Sequence, residues 1–413
     1  MTLLLASCLL LKNVEGAQLV GASTIYCQQA VYEDAKKSTY DAINKPVDVA
    51  SFNDLEQYGE TFEGVTPVVL EPGVVTPTWQ DSDGVERGEA VLWLPDGVPR
   101  GSARVLYVHG GAWLAGSPRT DGYAPFGAKM AKLYGLPVLV IDYTLAPIGN
   151  FSVMIEEVGM ATNFLATHEP QDLLAGNQTA LPVADEAPLF ISGDSAGGGT
   201  AISALVAQAS PKGLPASKGA RLAGGVVFSP WINLESNGPT YYTELFGLHE
   251  KGNVLIGDIN FGFGATPEEI VQANQDNATL YSADLQDPVA NPLYAPDKWL
   301  RDLAPLSMHV GMPEVLQSDI TLFATKAAKA GARRVESHLF DGMWHVFEMY
   351  SDGCGSGAPL VLAESSLNFS KQFYERTLSE LSLGLQFGNG GFCSVPHYEY
   401  PLGQDSAQGI ACV

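Results

Sequence analysis

From about residue 103, apolar segments typical of buried strands alternate with segments typical of helices, and this alternation constrains the fold most. The strand-like segments are 103–110, 137–143, 188–194, 223–230, 306–311 and 334–342. The helix-like segments are 126–135, 154–168, 196–210 and 319–332. Strands rich in Val, Leu and Ile bury both faces, so the pattern predicts an α/β fold with a mostly parallel central sheet and helices on both faces.

The charge of the chain limits the partners that can be expected. Its 413 residues include 22 Lys and Arg against 46 Asp and Glu, a formal net charge of −24. A field of this sign repels phosphate backbones, so nucleic acid is not an expected partner. The apolar run at residues 3–11 is shorter than the roughly 17–25 residues of a membrane-spanning helix. A small-molecule substrate is therefore expected, with no membrane span, and the oligomeric state stays open.

The N-terminus and the cysteines favour an oxidising compartment. Residues 1–17 have the apolar core and small C-terminal residues of a signal peptide, which predicts a secreted or lumenal protein. An N-terminal amphipathic helix and a cytoplasmic location are the alternative. Four cysteines, an even number that permits disulfides, remain after cleavage: Cys27, Cys354, Cys393 and Cys412. Four glycosylation sequons agree with secretion: Asn150, Asn177, Asn277 and Asn368.

Ser195 stands between a strand-like and a helix-like segment, in the stretch GDSAGG. A serine on the sharp turn from a strand into a helix is the arrangement of a nucleophile elbow. Such a turn needs small residues two positions before and two positions after the serine, and Gly193 and Gly197 stand there. The sequence therefore predicts that Ser195 is a nucleophile at a helix N-terminus, where free N–H groups favour negative charge.

A nucleophilic serine needs a base, and the base needs a group that orients it. Among seven histidines, His345 is the one that follows the last strand-like segment, from which it can reach across the sheet edge to Ser195. The acid is expected between the serine and the histidine in chain order. Glu314 is preferred because it lies closer to the end of the segment 306–311, and Asp319 is the alternative acid.

The oxyanion of a tetrahedral intermediate needs preorganised N–H donors. HGGAW, at 109–113, supplies such donors on the loop after an earlier strand. The predicted donors are the N–H groups of Gly110, Gly111 and Ala196. The residues expected near the substrate pocket are Trp113, Asp194 and Tyr143.

Seven motifs appear in one order along the chain: HGGAW, DYTLAP, GDSAGG, SPWINL, NPLY, GMPEVLQSD and DGMWHVF. Over about residues 100–350 they resemble the hormone-sensitive-lipase-like group of α/β-hydrolases, which includes bacterial esterases and arylacetamide deacetylase. The resemblance implies an α/β-hydrolase fold, carboxylic-ester hydrolysis through an acyl-enzyme, and no cofactor or metal. Three positions depart from the usual pattern: Ala112 replaces a third glycine, Thr144 replaces an arginine, and Glu314 replaces an aspartate.

The resemblance also implies a division of the chain, with a helical cap built from an N-terminal segment and an insertion. The expected parts are a signal peptide at 1–17, a first cap segment at 18–50, a catalytic domain at 51–234 and 286–381, a cap insertion at 235–285, and a cysteine-bearing tail at 382–413. The tail lies outside the resemblance.

The function expected from these features is that of a serine carboxylesterase for uncharged short- to medium-chain esters. The negative charge of the chain disfavours anionic esters. One alternative is an amidase or deacetylase that uses the same triad on arylamides. Another is a ligand-binding protein that has the fold without the catalysis, against which the presence of His345 argues.

Overall fold

The computed structural model describes residues 62–119, 122–179, 187–245, 247–249, 254–258, 266–352, 359–383 and 396–399. The signal peptide, the first cap segment and all the cysteines lie outside these residues, so the sequence predictions for them stay predictions. Among the described helices, none is both long and apolar enough to cross a membrane.

Strands and helices alternate along the described chain. The strands are β1 (Val65–Leu70), β2 (Trp79–Gln80), β3 (Glu86–Arg87), β4 (Ala90–Pro95), β5 (Arg104–Val108), β6 (Val138–Ile141), β7 (Leu189–Asp194), β8 (Leu222–Phe228), β9 (Gly247–His249), β10 (Val254–Ile256), β11 (Leu306–Gly311), β12 (Val335–Phe340) and β13 (Pro396–Glu399). The α-helices are α1 (Tyr123–Tyr134), α2 (Phe151–Thr167), α3 (Pro170–Leu174), α4 (Ser195–Ala209), α5 (Thr240–Thr243), α6 (Pro267–Tyr281), α7 (Asp297–Arg301), α8 (Gln317–Ala330) and α9 (Val361–Ser382). Two 3₁₀ helices span Pro292–Tyr294 and Phe347–Tyr350.

Nine of these strands form one sheet in the order β1-β4-β6-β5-β7-β8-β11-β12-β13. Strand β4 is antiparallel to both of its neighbours, β1 and β6, and every pairing from β6 to β13 is parallel. Strands β4, β5, β6, β7 and β11 are buried at every position, which explains their continuous apolar sequences. The predicted α/β architecture is confirmed.

Helices cover both faces of the sheet and create two cores. Side chains alternate between the faces along each strand. Tyr107 of β5 therefore lies in one core with Phe126 of α1, whereas its neighbour Leu106 lies in the other core with Ile202 of α4. Both faces of the central strands are therefore buried in apolar cores.

The loops that leave the carboxyl ends of β5, β7, β8, β11 and β12 lie at one edge of the sheet, because these strands are parallel neighbours. They carry the segment 109–113, Ser195, Ser229, Glu314 and His345. In open α/β sheets this edge is where ligands bind. The fold thus brings the predicted site residues, which are far apart in sequence, to one place.

A buried chain of hydrogen bonds anchors the segment that follows His345. His309 Nε2 lies 3.0 Å from Ser307 Oγ, and His309 Nδ1 lies 2.7 Å from Ser366 Oγ on α9. Ser366 in turn donates to Glu348 Oε1 at 2.7 Å. Burial raises the pKa of Glu348 to about 8, so this side chain is a neutral acid at neutral pH.

Replacing Glu348 by glutamine should make stability less sensitive to alkaline pH. The pKa of Glu348 is raised from 4.5 to about 8 in the folded chain. The contribution of its protonated form to the free energy of unfolding is therefore fully present below pH 4.5 and is lost as the pH rises through about 8. Glu348→Gln keeps an acceptor for Ser366 without the charge. The free energy of unfolding of the variant, relative to wild type, should increase by about 4 kcal/mol between about pH 5 and pH 9 in urea titrations.

The control for this measurement is Glu364→Gln, which removes the same charge from an exposed position on α9. Its effect on the free energy of unfolding should be nearly the same at both pH values. A pH-independent effect of Glu348→Gln would show that this carboxyl is not held in its neutral form.

Candidate active site

Ser195 occupies a sharp turn between β7 and α4. It is the first residue of the helix, it is partly exposed, and its φ of +51° lies in the left-handed region. A Cβ atom on Gly197 would lie 2.1 Å from the carbonyl oxygen of Val108, and one on Gly193 would lie 2.6 Å from the same oxygen. Only glycine fits at these two positions, so the turn has the close backbone crossing that the sequence predicts.

Three of the predicted site residues form a hydrogen-bonded series. His345 Nε2 lies 2.9 Å from Ser195 Oγ, and His345 Nδ1 lies 3.2 Å from Glu314 Oε2. When Glu314 is ionised, its carboxylate only accepts, so the imidazole hydrogen is on Nδ1 and Nε2 accepts the hydroxyl hydrogen of Ser195. This is the tautomer in which the imidazole can take a proton from the serine.

The Glu314 side chain is fully buried, and both of its oxygens accept hydrogen bonds. Oε1 accepts from Ser229 Oγ at 2.7 Å and from the N–H of Gly311 at 2.5 Å, while Oε2 faces His345. Burial raises the pKa of Glu314, and the bonds from Ser229 and Gly311 act in the opposite direction. These donors fix the orientation of the carboxylate toward the imidazole.

Asp319, the alternative acid, lies elsewhere in the structure. It is a buried residue in the first turn of α8. A Cβ atom on Gly238 would lie 2.5 Å from Asp319 Oδ1, so the carboxylate faces the chain that follows β8. Burial raises the pKa of Asp319 to about 7. Glu314, not Asp319, is the carboxylate placed at Nδ1 of His345.

The loop after β5 differs from the sequence prediction at Gly110. Its N–H donates to Asp194 Oδ1 at 3.0 Å and is therefore not available to a substrate. Asp194 is buried directly before the serine and needs donors, and it also accepts from the hydroxyls of Tyr107 at 2.7 Å and Tyr123 at 3.1 Å. The assignment of Gly110 as an oxyanion donor is thus corrected: this N–H anchors the loop.

The next two N–H groups of the same loop are better placed for a ligand. Gly111 and Ala112 are partly exposed, with φ values of +102° and +55°. Within the described part of the chain, their N–H groups have no hydrogen-bond acceptor, and neither does that of Ala196 in the first turn of α4. Ala112 thus adopts the left-handed conformation that glycine adopts freely. Gly111, Ala112 and Ala196 are the donors that remain open at this edge.

The three residues predicted to line the substrate pocket lie behind it instead. Asp194 and Tyr143 are no more than 2% exposed, and Trp113 is 1% exposed. The Tyr143 hydroxyl donates to the carbonyl of His109 at 2.9 Å, and its ring stacks on that histidine with centroids 4.4 Å apart. This prediction is therefore corrected, because these side chains lie in the core beneath the loop at 109–113.

Trp113 connects the same loop to the segment between β8 and α7. Its Nε1 donates to Thr200 Oγ1 at 3.1 Å. Its ring stacks on Tyr281 at the end of α6, with centroids 3.9 Å apart and the ring planes 9° from parallel. Helix α6 is thus packed directly on the loop that carries the open N–H groups.

The sequence analysis did not identify two residues that complete the site. Ser229 Oγ donates to Glu314 and accepts from the N–H of Val346 at 2.9 Å. Asp258 accepts from the N–H of His345 at 3.1 Å and from that of Val315 at 3.3 Å. Ser229 belongs to the motif SPWINL, which could have indicated it. Asp258 stands in a glycine-rich stretch without a recognisable motif.

Asp258, Glu314 and His345 are also residues of the kinds that bind metal ions, and potential ligand atoms of the three lie within 4.8 Å of one another. All four carboxylate oxygens, however, already accept hydrogen bonds from protein groups. These bonds account for the proximity of the three side chains, and the one from Nδ1 to Glu314 orients the imidazole of His345.

The sequence is similar to those of characterised hydrolases. It is 26% identical to an acetyl-hydrolase of Streptomyces hygroscopicus over 247 residues, which is 60% of this chain and 68% of the relative. It is also 26% identical to the arylacetamide deacetylase of Oryctolagus cuniculus over 321 residues, which is 68% of this chain and 77% of the relative.

The structure has neighbours of the same kind. A crystal structure of a hormone-sensitive lipase from a metagenome library is similar, with a TM-score of 0.54 and 25% sequence identity. The match covers 79% of this chain and 91% of the lipase chain. The profile of the family described as the alpha/beta hydrolase fold matches residues 105–349, more than half of the chain. The chain therefore belongs to the α/β-hydrolase fold family, among its esterase- and lipase-like members.

Proposed function

We propose that this protein is a serine carboxylesterase that hydrolyses uncharged short- to medium-chain esters through an acyl-enzyme. The observation that carries the proposal is the hydrogen-bonded series from Ser195 through His345 to Glu314, at the carboxyl edge of a parallel sheet. A serine at the N-terminus of a helix, a neutral imidazole at 2.9 Å and a buried carboxylate behind it are the groups that acyl transfer requires.

In the first step, Ser195 Oγ attacks the carbonyl carbon of the ester while its proton passes to His345 Nε2. The carbonyl oxygen becomes an oxyanion, which the N–H groups of Gly111, Ala112 and Ala196 stabilise. Collapse of the intermediate expels the alcohol, which takes the proton from His345. Water then attacks the acyl-enzyme by the same route, and the carboxylic acid leaves.

The substrate class rests on two further observations. The net charge of −24 creates a field that repels anionic esters from the site. Two similar proteins carry names that refer to acetyl groups, acetyl-hydrolase and arylacetamide deacetylase, which supports small acyl groups. The second name also favours an alternative reaction, the hydrolysis of arylamides by the same three residues.

Loss of the Ser195 hydroxyl should abolish hydrolysis. The wild-type protein should hydrolyse p-nitrophenyl acetate and react covalently with a fluorophosphonate. Ser195→Ala should lower kcat by at least about 10³-fold and remove the covalent label, because no other hydroxyl lies in the elbow. The matched control is Ser210→Ala at the opposite end of α4, where the hydroxyl is far from the turn.

Three outcomes would change the proposed function. Unchanged activity of Ser195→Ala would exclude this serine as the nucleophile. Faster turnover of an anilide than of the ester with the same acyl group would favour the amidase. A wild-type protein that binds neutral esters but hydrolyses none would favour a ligand-binding role.

Glu314 and Asp319 should differ in their effect on catalysis. Glu314→Gln should lower kcat by about 10²- to 10⁴-fold, because the amide stabilises neither the required tautomer nor the imidazolium. Asp319→Asn should leave kcat within about threefold of wild type, since its carboxylate faces Gly238 and Glu314 is the carboxylate at His345 Nδ1. Circular dichroism would establish that both variants are folded. A larger loss in Asp319→Asn would contradict the assignment of the acid.

The pH dependence should reflect a histidine that is hard to protonate. Burial lowers the pKa of His345 below 6.5, although Asp258 and Asp194 act in the opposite direction. Since only the neutral imidazole accepts the serine proton, kcat/KM should rise with pH and reach half of its plateau below pH 6.5. Initial rates with p-nitrophenyl acetate from about pH 4 to 8 would check this, and a midpoint above the ordinary histidine value would contradict it.

A further inference from the structure

Asp258 contacts both of the loops that hold the acid and the base, although it belongs to neither. It lies on the segment between β8 and α6 and is fully buried. Its Oδ1 accepts from the backbone N–H of His345 at 3.1 Å, and its Oδ2 accepts from the N–H of Val315, next to Glu314, at 3.3 Å. One carboxylate therefore joins the loop after β11 to the loop after β12.

The position of Asp258 is fixed by its own segment. Its N–H donates to the carbonyl of Glu244 at 2.9 Å, and it forms an isolated parallel bridge with Leu245. Gly257 has a φ of +88°, and a Cβ atom there would lie 2.7 Å from the carbonyl oxygens of both Glu244 and Leu245. The carboxylate is thus presented by a tight, specific turn.

The spacing of the triad depends on how these two loops are held together. Ser229, which follows β8, joins the two loops because its hydroxyl donates to Glu314 Oε1 and accepts from the N–H of Val346. Asp258 joins them from the inserted segment. Because a displacement of about 1 Å in a catalytic group can cost about 100-fold in rate, each of these links bears on turnover.

We propose that Asp258 is a positioning residue, which holds the base and the acid in register for proton transfer from Ser195. The inserted segment then takes part in assembling the triad. The inference rests on the proposed esterase function, and it concerns a residue that touches no reacting atom.

Asp258→Asn tests this role with little change in size. Each oxygen of Asp258 accepts from a different loop, and an amide provides only one acceptor. The variant must therefore lose one link and place an NH₂ group against a backbone N–H. Active-site titration, from the burst of p-nitrophenol with p-nitrophenyl acetate, counts the competent sites. We expect kcat per competent site to fall about 10- to 100-fold, with KM within about threefold of wild type.

The matched control is Asp287→Asn. Asp287 also accepts from two backbone N–H groups, those of Val289 and Ala290, but both bonds go to one oxygen, at 2.8 and 2.9 Å. The amide oxygen can keep both bonds, and neither bond joins the loops after β11 and β12. We expect wild-type turnover per competent site, whatever the change in melting temperature.

Normal turnover per competent site in Asp258→Asn would overturn the inference. This holds even if fewer sites are competent, because a smaller number of sites with normal turnover indicates only a structural role. An equal loss of turnover in Asp287→Asn would also overturn it. If Asp258→Asn gives no competent sites, Gly257→Ala replaces it: this change strains the turn but keeps the carboxylate, and unchanged turnover would count against the proposal. Activity that survives Ser195→Ala would instead reject the proposed function itself.

Discussion

The structure depends on the parallel pairing of β5, β7, β8, β11 and β12. Parallel neighbours send their carboxyl ends to the same edge, and dry cores on both faces keep those ends from moving. A serine, a histidine and a glutamate separated by up to 150 positions in sequence thereby reach hydrogen-bond distance. The pairing therefore brings the loops that carry them to one edge of the sheet.

Buried carboxylates organise the edge that the sheet provides. Asp194, Glu314 and Asp258 are each at most 2% exposed. Asp194 and Asp258 accept backbone N–H groups from other loops. Glu314 accepts one from its own turn. Removing a carboxylate from water is costly unless it is hydrogen-bonded, so the loops that supply the donors are held in place. The same bonds that make burial tolerable therefore set the geometry of the site.

The sequence was sufficient for features that leave a local signal. Six apolar segments predicted the central strands, and the glycines around Ser195 predicted its turn. It was insufficient where two hydrogen-bonded residues are distant in sequence. The sequence did not indicate that the N–H of Gly110 donates to Asp194, or that Asp258 links two loops. Thr144, which replaces an arginine of the usual pattern, gave no indication that its N–H and hydroxyl would both donate to the buried Glu157.

The stacking of Tyr281 on Trp113 has a consequence for how such proteins diversify. Tyr281 belongs to the segment between β8 and α7, which lies outside the main sheet. Tyr281, in the last turn of α6, packs on the loop at 109–113, and its hydroxyl lies 3.3 Å from Thr200 Oγ1 on α4. Recombination that exchanged this segment would have to carry Trp113 and Thr200 with it. A change in this segment therefore also affects the loop at 109–113 and helix α4.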